Sequence, residues 1–411
     1  MLVSLAWSSL GSRKKSVILT FLSLLISISV LLSVEHIRQQ AKESFNRTIS
    51  DVDLIVGAPS GQLNLLLYSV FRMGSPTSNI NYASYEALQE SKLVEWAIPI
   101  SLGDSHRGFR VMGTNDNYFQ HFKFGNKQAL SFQNGNAFAS LFEAVIGADV
   151  AKELGYKVGD SVVISHGIGN TSFTNHDNTP FTITGILSAT GTPVDKTVHV
   201  SLNAIEAIHL SASKQSQLLN DATSVNTTPD SVTAVMLGLT SKFATFKLQR
   251  DINNYKTDRL MAILPGVALT ELWQMMGTVE NLLRVISILV LISSLFGLST
   301  MLLASMQQRK NEIAVLRVLG AGPGVIFTLV LVEALILVLL AIVAAIGLLS
   351  AALTLSSDWL ASQYGLFLSA NLLTLETLKV VSVITLAAIV TSAIPAFEAY
   401  KNALHSSLSS K

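Results

Sequence analysis

The stretch "QQRKNEIAVLRVLGAG" (residues 307–322) places charged, helix-forming residues between two long apolar runs. The run 285–306 before it carries no charge, and the run 325–353 after it carries only Glu333. A helix that spans a membrane needs about 20 mostly apolar residues, so each run is long enough to cross a bilayer. The quoted stretch is therefore predicted to be a short connection between two membrane-spanning helices.

The composition of the whole chain also indicates a membrane protein. Of the 411 residues, 49% are apolar and 13% are charged, whereas soluble domains average about 25% charged residues. The net charge of +1 gives no argument for binding nucleic acid. The chain has no cysteine, which excludes disulfides and cysteine-ligated metal or redox chemistry.

Two further apolar runs bring the number of predicted spans to four. The predicted segments are an amphipathic N-terminus (1–15), span one (16–34), an outer domain (35–277), span two (278–306), the connecting segment (307–323), span three (324–353), a short outer loop (354–373), span four (374–395) and a tail (396–411). The alternative for residues 16–34 is a cleaved signal peptide. Cleavage would leave three spans and put the C-terminus on the wrong side of the charge bias.

The positive charges of the short segments predict the orientation. Residues 1–15 contain three basic residues and no acid, and 307–323 contain three basic residues against one acid. The loop 354–373 contains Asp358 and neither Lys nor Arg. Short basic segments stay in the cytoplasm, so both termini and the connecting segment are predicted to be cytoplasmic and the outer domain periplasmic.

The outer domain alternates short β-branched strands with short helices. Strands are predicted at 52–57, 94–101, 108–113, 161–165, 181–187, 197–201, 231–238 and 260–264, and helices at 82–91, 148–154, 202–209, 241–254 and 267–277. The piece from about 138 to 215 is predicted to be an insert sub-domain, and the polar segment 214–230 a loop. The predicted fold is an α-helical membrane protein with four transmembrane helices. A large α+β periplasmic domain of two sub-domains is inserted between helices 1 and 2.

No catalytic constellation is evident in the outer domain, because no nucleophile–base pair can be assembled from its sequence. His166 and His176, with the adjacent Asp177, bracket a Gly- and Asn-rich stretch. Histidine and carboxylate together can bind a divalent metal. The alternative is a surface loop with two solvated histidines, since this spacing matches no tight ligand pattern.

Two features of the spans concern packing and charge inside the membrane. Small residues recur at helical spacing on span two, and close approach of helices there would suit a dimer or packing within one subunit. They are Ser293, Gly297, Thr300 and Ala304. The acid Glu333 lies inside span three and is by default a functional hypothesis. The alternatives are a hydrogen bond to a neighbouring helix, a wet pocket or a proton relay.

The connecting segment itself has two faces if it is helical. Lys310 and Arg317 fall on one side, and Val315, Val318 and Leu319 on the other. Such a helix would suit contact with anionic lipid or with a protein, and the residues alone leave both open.

The amino-acid sequence of the connecting segment closely resembles the signature of a known family. "RKNEIAVLRVLGA" is similar to the Arg-x-x-Glu-Ile-x-x-Leu-Arg-x-x-Gly-Ala pattern of the FtsX-like, MacB-type (type VII) ABC transporter permeases. The matching residues are Arg309, Glu312, Ile313, Leu316, Arg317, Gly320 and Ala321. The layout of one span, a large domain and three spans resembles this family along the whole chain.

The resemblance implies a partner ATPase that contacts the matching residues. A Walker A loop needs a Gly-Lys pair, and the chain contains none. The resemblance therefore implies that this chain holds no cofactor, and that ATP and Mg are bound by a separate ATPase subunit. The expected partners are two such ATPases, a second permease copy (the same or related), the lipid bilayer of a bacterial inner membrane, and a periplasmic adaptor or substrate-binding protein.

The mechanism that the resemblance implies is mechanotransmission, in which ATP-driven movement reaches the periplasmic domain and supports export or extraction of a substrate. The alternative is a permease that transports nothing and regulates a periplasmic partner. A membrane enzyme is a third class, which the sequence does not support.

Overall fold

The computed structural model describes residues 2–166, 179–221, 224–308, 310–364 and 371–408. These residues form two compact units. The first, the membrane unit, comprises Met1–Ala41, Met276–Trp359 and Leu368–Lys411, and the second, the sheet domain, is mainly Lys42–Met275.

Helices and strands alternate along the described chain. The α-helices are α1 (Leu2–Ser12), α2 (Lys14–Thr48), α3 (Gln62–Ser69), α4 (Tyr82–Gln89), α5 (Asn117–His121), α6 (Ala148–Leu154), α7 (Leu202–Ile208), α8 (Ala212–Asn220), α9 (Thr245–Asn253), α10 (Pro265–Gln308), α11 (Lys310–Val318), α12 (Pro323–Tyr364) and α13 (Leu375–Leu408). The strands are β1 (Leu54–Gly57), β2 (Ile80–Asn81), β3 (Val94–His106), β4 (Phe109–Thr114), β5 (Lys123–Phe124), β6 (Gln128–Ala129), β7 (Phe132–Gly135), β8 (Glu143–Ile146), β9 (Ser161–Val162), β10 (Ser165–His166), β11 (Phe181–Leu187), β12 (Thr197–Ser201), β13 (Ser231–Val232), β14 (Ala234–Leu239) and β15 (Met261–Ile263).

Four helices are long and apolar enough to cross a membrane, which confirms the four predicted spans. The stretches that qualify are Lys14–Glu43, Pro265–Gln308, Pro323–Ser356 and Leu375–Lys401. Between the first and second of them lies the sheet domain, so the predicted fold class is confirmed.

Helix α12 provides the largest share of the buried residues in the membrane unit. Its small residues Ala334, Ala341 and Ala345 are fully buried, and they recur at helical spacing. Leucines of α10 and Ile384 of α13 pack in the same cluster. Small side chains allow helices to approach closely, which is how packing is gained in lipid, where there is little hydrophobic driving force.

Two helices are longer than the apolar runs that predicted them. Helix α2 continues past residue 34 to Thr48, and α12 continues past residue 353 to Tyr364, where a loop was expected. Neither extension contains Gly or Pro, so nothing in the local sequence ends the helix. The hydropathy predicts where a helix leaves the apolar layer, and it does not predict where the helix ends.

Helix α13 also continues through Pro395, the residue that was expected to close span four. A proline inside a helix leaves the carbonyl four residues earlier without its usual donor. Here the Ser299 hydroxyl on α10 donates to that carbonyl, on Thr391, at 2.9 Å. A neighbouring helix supplies the missing hydrogen bond, and the helix therefore does not have to stop.

The sheet domain is built on one mixed sheet. Its main path runs β15-β1-β14-β3-β4-β12-β8-β11-β7, with β10 paired to β3 and β9 to β11. Strand β3 is the longest, and it pairs with β14 through its first half and with β4 through its second. The pairs β12·β4 and β11·β8 are parallel, and the other pairs along this path are antiparallel.

Helices cover the sheet and define three apolar clusters. One cluster lies under α3 and α5 and contains Leu65, Tyr118 and Phe122, all almost fully buried. A second lies under α4 and α9, and a third under α6 and α7. The predicted insert, about 138–215, contributes β12, which pairs with β4 outside it. Its boundaries stay predictions.

The predicted strands agree best where β-branched residues are dense. Strands β11 and β12 have the predicted bounds, whereas β7 and β8, which are four residues each, were missed. The prediction of a loop over 214–230 was wrong for its first part, because α8 extends to Asn220. The segment "KQSQLLN" has helix-forming residues without apolar periodicity, so its sequence carries no clear helix signal, and in the structure it packs on α7.

The turn between β8 and α6 generates a stability prediction. A Cβ on Gly147 would lie 2.3 Å from the carbonyl oxygens of Val194 and Asp195. That backbone cannot yield easily, because the buried Asp195 carboxylate accepts hydrogen bonds at 2.8 Å from the amides of Thr190 and Gly191. We expect Gly147→Ala to destabilise the sheet domain by about 1–3 kcal/mol, the usual cost of overpacking.

Hydrogen-exchange mass spectrometry of the purified chain measures this effect. Strands β8 and β12 should exchange faster in the variant. Gly103→Ala is the matched control, because a Cβ there meets nothing within 4 Å. Equal exchange of the two variants would contradict the expected clash.

Candidate functional site: the coupling segment and its supports

The connecting segment forms the helix α11, and its apolar residues face two ways. Ile313 is half-buried and packs on the core of the membrane unit. Val315, Val318 and Leu319 are exposed, Val318 to 88%. Glu312 is exposed as well, and Arg317 is half-buried. Arg309 lies outside the described residues. An apolar face with charged neighbours on a short helix is typical of a contact surface.

A glycine C-cap ends α11. Gly320 has a φ of +96°, in the left-handed region that favours glycine. The amide of Gly320 donates to the Arg317 carbonyl at 2.9 Å, and the amide of Ala321 donates to the Leu316 carbonyl at 3.0 Å. This is the Schellman pattern, and it places Leu316 and Ala321 at the positions where an apolar contact usually accompanies the turn. The Leu-Arg-x-x-Gly-Ala part of the pattern therefore has a physical reason.

The connection from α11 to the next span is short. Helix α12 begins at Pro323, a first-turn position where proline loses no hydrogen bond. The Gly322 carbonyl accepts from the Val325 amide at 3.0 Å, so the turn runs directly into the helix. A displacement of α11 would therefore reach α12 with little slack.

The predicted intramembrane acid has a basic partner. Glu333 is fully buried, and its Oε2 lies 3.5 Å from Nη2 of Arg13. Arg13 lies between α1 and α2, and the same Nη2 donates to the Ser9 hydroxyl at 2.8 Å. Sequence reasoning named Glu333 but did not pair it with Arg13, because residues 320 apart share no local pattern. A buried carboxylate with a guanidinium partner favours a structural role over a proton relay.

A second charged cluster joins α2 to α10. Arg284 donates to Glu35 Oε2 at 2.7 Å, and Arg38 donates to Glu35 Oε1 at 2.6 Å. Arg38 also lies 3.9 Å from Glu280. Sequence reasoning missed this cluster, although the spacing of Glu35 and Arg38 is that of a helical ion pair.

The small-residue stripe on α10 is exposed in this single chain. Ser293, Gly297, Thr300 and Ala304 face outward, and the last three line a groove of about 530 Å³ beside α2. Ser294, which directly follows Ser293 in the chain, faces inward, and its hydroxyl lies 2.5 Å from that of Ser27. The stripe is therefore exposed on this chain, whereas Ser294 contacts α2.

The residues of the predicted metal site lie outside the described part of the chain. This holds for His176, for Asp177 and for the side chain of His166, whose backbone is in β10. Among the described residues no group of three or more His, Asp or Glu could hold a metal ion.

Within the sheet domain, the outer ends of α2 and α10 belong to the core. The Phe45 ring lies 4.6 Å from the ring of Phe71 and 5.6 Å from that of Trp273. Just beyond α2, Lys123 and Lys127 donate to the Asp51 carboxylate at 2.7 and 2.8 Å. These two hydrogen bonds lower the pKa of Asp51 to about 2.

Two family models match the sequence. A MacB-like periplasmic core domain matches residues 17–255, and an FtsX-like permease C-terminal domain matches 284–404. The chain belongs to the FtsX/MacB-type permease family. Most of its first span and of its sheet domain lie in the first match. The connecting segment 307–323, called the coupling segment for the role proposed below, lies with Glu333 in the second.

Two solved structures are similar at low identity. The periplasmic region of MacB from Actinobacillus actinomycetemcomitans is 12% identical with a TM-score of 0.34, over 57% of this chain and 95% of that one. The extracellular domain of the noncanonic ABC-type transporter YknZ from Gram-positive bacteria is 12% identical with a TM-score of 0.30, over 52% of this chain and 99% of that one. A comparison with curated full-length proteins gives no significant match.

Membership in the FtsX/MacB-type family fixes the class of the protein. It is an ABC-type permease, a component that is typically non-catalytic and that works with an ATPase partner. Its four apolar helices and MacB-like domain make it an inner-membrane protein with a periplasmic domain.

The Arg13–Glu333 pair generates a prediction for this permease. Removing one partner leaves a buried charge without its counter-charge and lowers the free energy of unfolding by about 3–5 kcal/mol. Replacing both partners leaves no unpaired charge. We expect Arg13→Gln and Glu333→Gln each to lower the thermal stability of the purified chain, and the double variant to recover most of the loss. Fluorescence-detected gel filtration after heating measures it. Lys379→Gln, at an exposed pair, is the control. A double variant as unstable as the sum of the singles would disprove the pairing.

Proposed function

We propose that this chain is the transmembrane subunit of an ABC transporter that works by mechanotransmission. In this mechanism a separate ATPase binds ATP and Mg, and its closure displaces the coupling segment. The displacement passes through the helices to the periplasmic sheet domain, which acts on a substrate there or at the membrane surface. The substrate itself need not pass between the spans.

The observation that carries the proposal is the continuity of α10. This helix has 44 residues, or roughly 66 Å at 1.5 Å per residue, about twice the hydrocarbon thickness of a bilayer. It begins in the sheet domain and ends beside the coupling segment without an internal break. Helix α2, with 35 residues, is likewise continuous beyond its apolar part. A continuous hydrogen-bonded helix transmits axial displacement better than a jointed chain does.

Both ends of α10 are supported in a way that suits transmission. At one end, Leu272 packs against the apolar core of the sheet domain, and the half-buried Trp273 contacts the Phe45 ring. These contacts anchor this end of α10 in the sheet domain. At the other end, Gln308 lies close in sequence to α11. The Gly320 cap and Pro323 join α11 to α12, and the Arg13–Glu333 pair joins α12 to the start of α2. The coupling segment is thus connected with three of the four spans.

The ATPase surface in this proposal is the outward face of α11. Val315, Val318 and Leu319 supply exposed apolar area, and Glu312 and Arg317 supply charges of both signs. A helix that lies on anionic lipid has no use for Glu312, whereas a protein interface can pair both signs and so exclude wrong partners. Of the two contacts that the sequence left open, we therefore favour the protein.

The working assembly in this proposal contains two permeases and two ATPases. The exposed stripe of Gly297, Thr300 and Ala304 is a surface on which α10 of one subunit can approach a helix of the other. The second permease is the same chain or a related one. A periplasmic adaptor or substrate-binding protein is a further expected partner of the sheet domain.

The alternative function uses the same machinery without transport. If the sheet domain binds a periplasmic enzyme, the displacement regulates that enzyme. Co-purification with mass spectrometry distinguishes the two, because an adaptor or an outer-membrane channel supports export and a hydrolase supports regulation.

The coupling role of α11 yields the main prediction. We expect Glu312→Ala with Arg317→Ala to lower ATPase association, or permease-stimulated ATP hydrolysis, several-fold or more. Loss of one partner from a buried charged pair at an interface costs roughly 2–5 kcal/mol. Alanine keeps the helix propensity, so expression should be unchanged.

The matched control is Glu376→Ala with Lys379→Ala. It also removes one acid and one base, an exposed pair 2.7 Å apart at the start of α13. If the α11 variant keeps wild-type association and hydrolysis, the segment contacts lipid and the coupling role is wrong.

The predicted orientation can be tested with single cysteines, because the native chain has none. A cysteine at the exposed Ser216 should react with an impermeant reagent in cells whose outer membrane alone is opened. A cysteine at the exposed Val318 should react only after the inner membrane is lysed. The reverse pattern would show that the Lys/Arg bias misled the assignment of the two sides.

A further inference from the structure

The sheet domain exposes two phenylalanines side by side, at the start of α9. Phe243 is 100% exposed and Phe246 is 70% exposed, the highest values for large apolar side chains in the described part of this domain. Phe243 lies in the short 3-10 turn Lys242–Ala244 that leads into α9. Exposed apolar groups that lie together usually mark a contact surface.

These phenylalanines are not spare core residues, because α9 already has a buried face. Leu248 and Ile252 are buried against β15 and its neighbours. Polar contacts fix the same face: Gln249 donates to the Ala262 carbonyl at 3.0 Å, and Asn253 accepts from the Ala262 amide at 2.7 Å. The helix therefore cannot rotate to bury the phenylalanines without losing its own packing.

Positive charge surrounds the two rings. Phe246, Lys247 and Arg250 lie at helical spacing on the exposed side of α9, and Phe243 lies in the 3-10 turn just before it. Lys247 and Arg250 are exposed, as is Lys242 beside Phe243. Asp251 is the one acid at the margin of this group between residues 241 and 252. We call Lys242, Phe243, Phe246, Lys247 and Arg250 the aromatic–basic patch.

We propose that the aromatic–basic patch binds the surface of an anionic phospholipid membrane. The rings would enter the boundary between headgroups and acyl chains, and the three cations would contact lipid phosphates. Phenylalanine combined with Lys and Arg is the composition of interfacial membrane contacts. The basic ring supplies the charge complementarity, since anionic lipid attracts nearby Lys and Arg side chains.

The shape of the patch favours lipid over a protein partner. The two largely exposed rings would each need a preformed apolar pocket in a protein partner, with acidic residues around it. A bilayer accepts projecting apolar side chains without such a match. The proposal does not depend on the coupling role of α11, because it concerns the sheet domain alone.

A site-specific fluorophore tests the proposal on the full chain. Ser241 is exposed beside the patch, and Ser241→Cys gives the only thiol in the chain. The chain is placed in nanodiscs of phosphatidylcholine and labelled with a polarity-sensitive dye. Vesicles of phosphatidylcholine alone, or mixed with phosphatidylglycerol, are then added. With the native patch, the dye emission should shift to the blue when mixed vesicles are added, and the protein should float with them. Both effects should be several-fold larger than with phosphatidylcholine vesicles and should weaken at high ionic strength.

Two variants and a control separate the contributions. Phe243→Ser with Phe246→Ser should abolish the blue shift, and Lys247→Glu with Arg250→Glu should abolish the preference for phosphatidylglycerol. Val158→Ser, an exposed apolar residue elsewhere in the domain, should behave as wild type. All are surface changes, so gel filtration should be unaltered.

Three outcomes would overturn the proposal. The first is no blue shift when mixed vesicles are added to the labelled chain with the native patch. The second is a blue shift in both patch variants as large as that of the native patch. The third is a photo-crosslink from position 241 in cells that captures one acidic protein while vesicles have no effect. That result would assign the patch to a protein interface.

Discussion

Inside hydrocarbon, every backbone N–H and C=O must find its hydrogen bond within the protein, and most features of the membrane unit follow from this requirement. It explains why the part of α10 that crosses the membrane has no break. It also explains the contact between Ser299 and the Thr391 carbonyl, which supplies the bond that Pro395 cannot make. Gly320, whose left-handed backbone suits glycine, lies between spans, where water or a partner can solvate the turn.

Buried and half-buried charges also need partners within the protein, and two groups of them in the membrane unit lie at two levels. Arg13 and Glu333 form one level, and Glu35 with Arg38 and Arg284 forms the other. Along α2, the two levels are roughly 33 Å apart at 1.5 Å per residue, close to the thickness of the apolar layer. Between them, serine hydroxyls of α2 and α10 contact each other, and apolar residues of both helices are buried in one cluster. Ion pairs therefore link the helices at both levels, and apolar packing with serine contacts fills the middle.

The sequence predicted what depends on local composition. Four spans follow from apolar length, and β11 and β12 follow from dense β-branched residues. The Leu-Arg-x-x-Gly-Ala part of the family pattern is explained by a helix with a Schellman cap, and the coupling role of the matching residues stays a prediction. The sequence did not predict the partner of Glu333, the Glu35 cluster or the path of α13 through Pro395. Each of these depends on a contact between residues far apart in the chain, which no periodicity encodes. The small-residue stripe at Gly297 was visible in the sequence. That the stripe faces outward while Ser294 faces α2 could be seen only from the packed helices.

The two lysines that hold Asp51 have a consequence for acid conditions. Because they lower the pKa of this carboxyl to about 2, below its usual 3.8, the bonded state is fully present above pH 3.8 and is lost only as the pH falls towards 2. The hydrogen bonds from Lys123 and Lys127 therefore continue to hold Asp51, just after α2, during moderate acidification. Carboxylates without such partners have already begun to protonate at that pH.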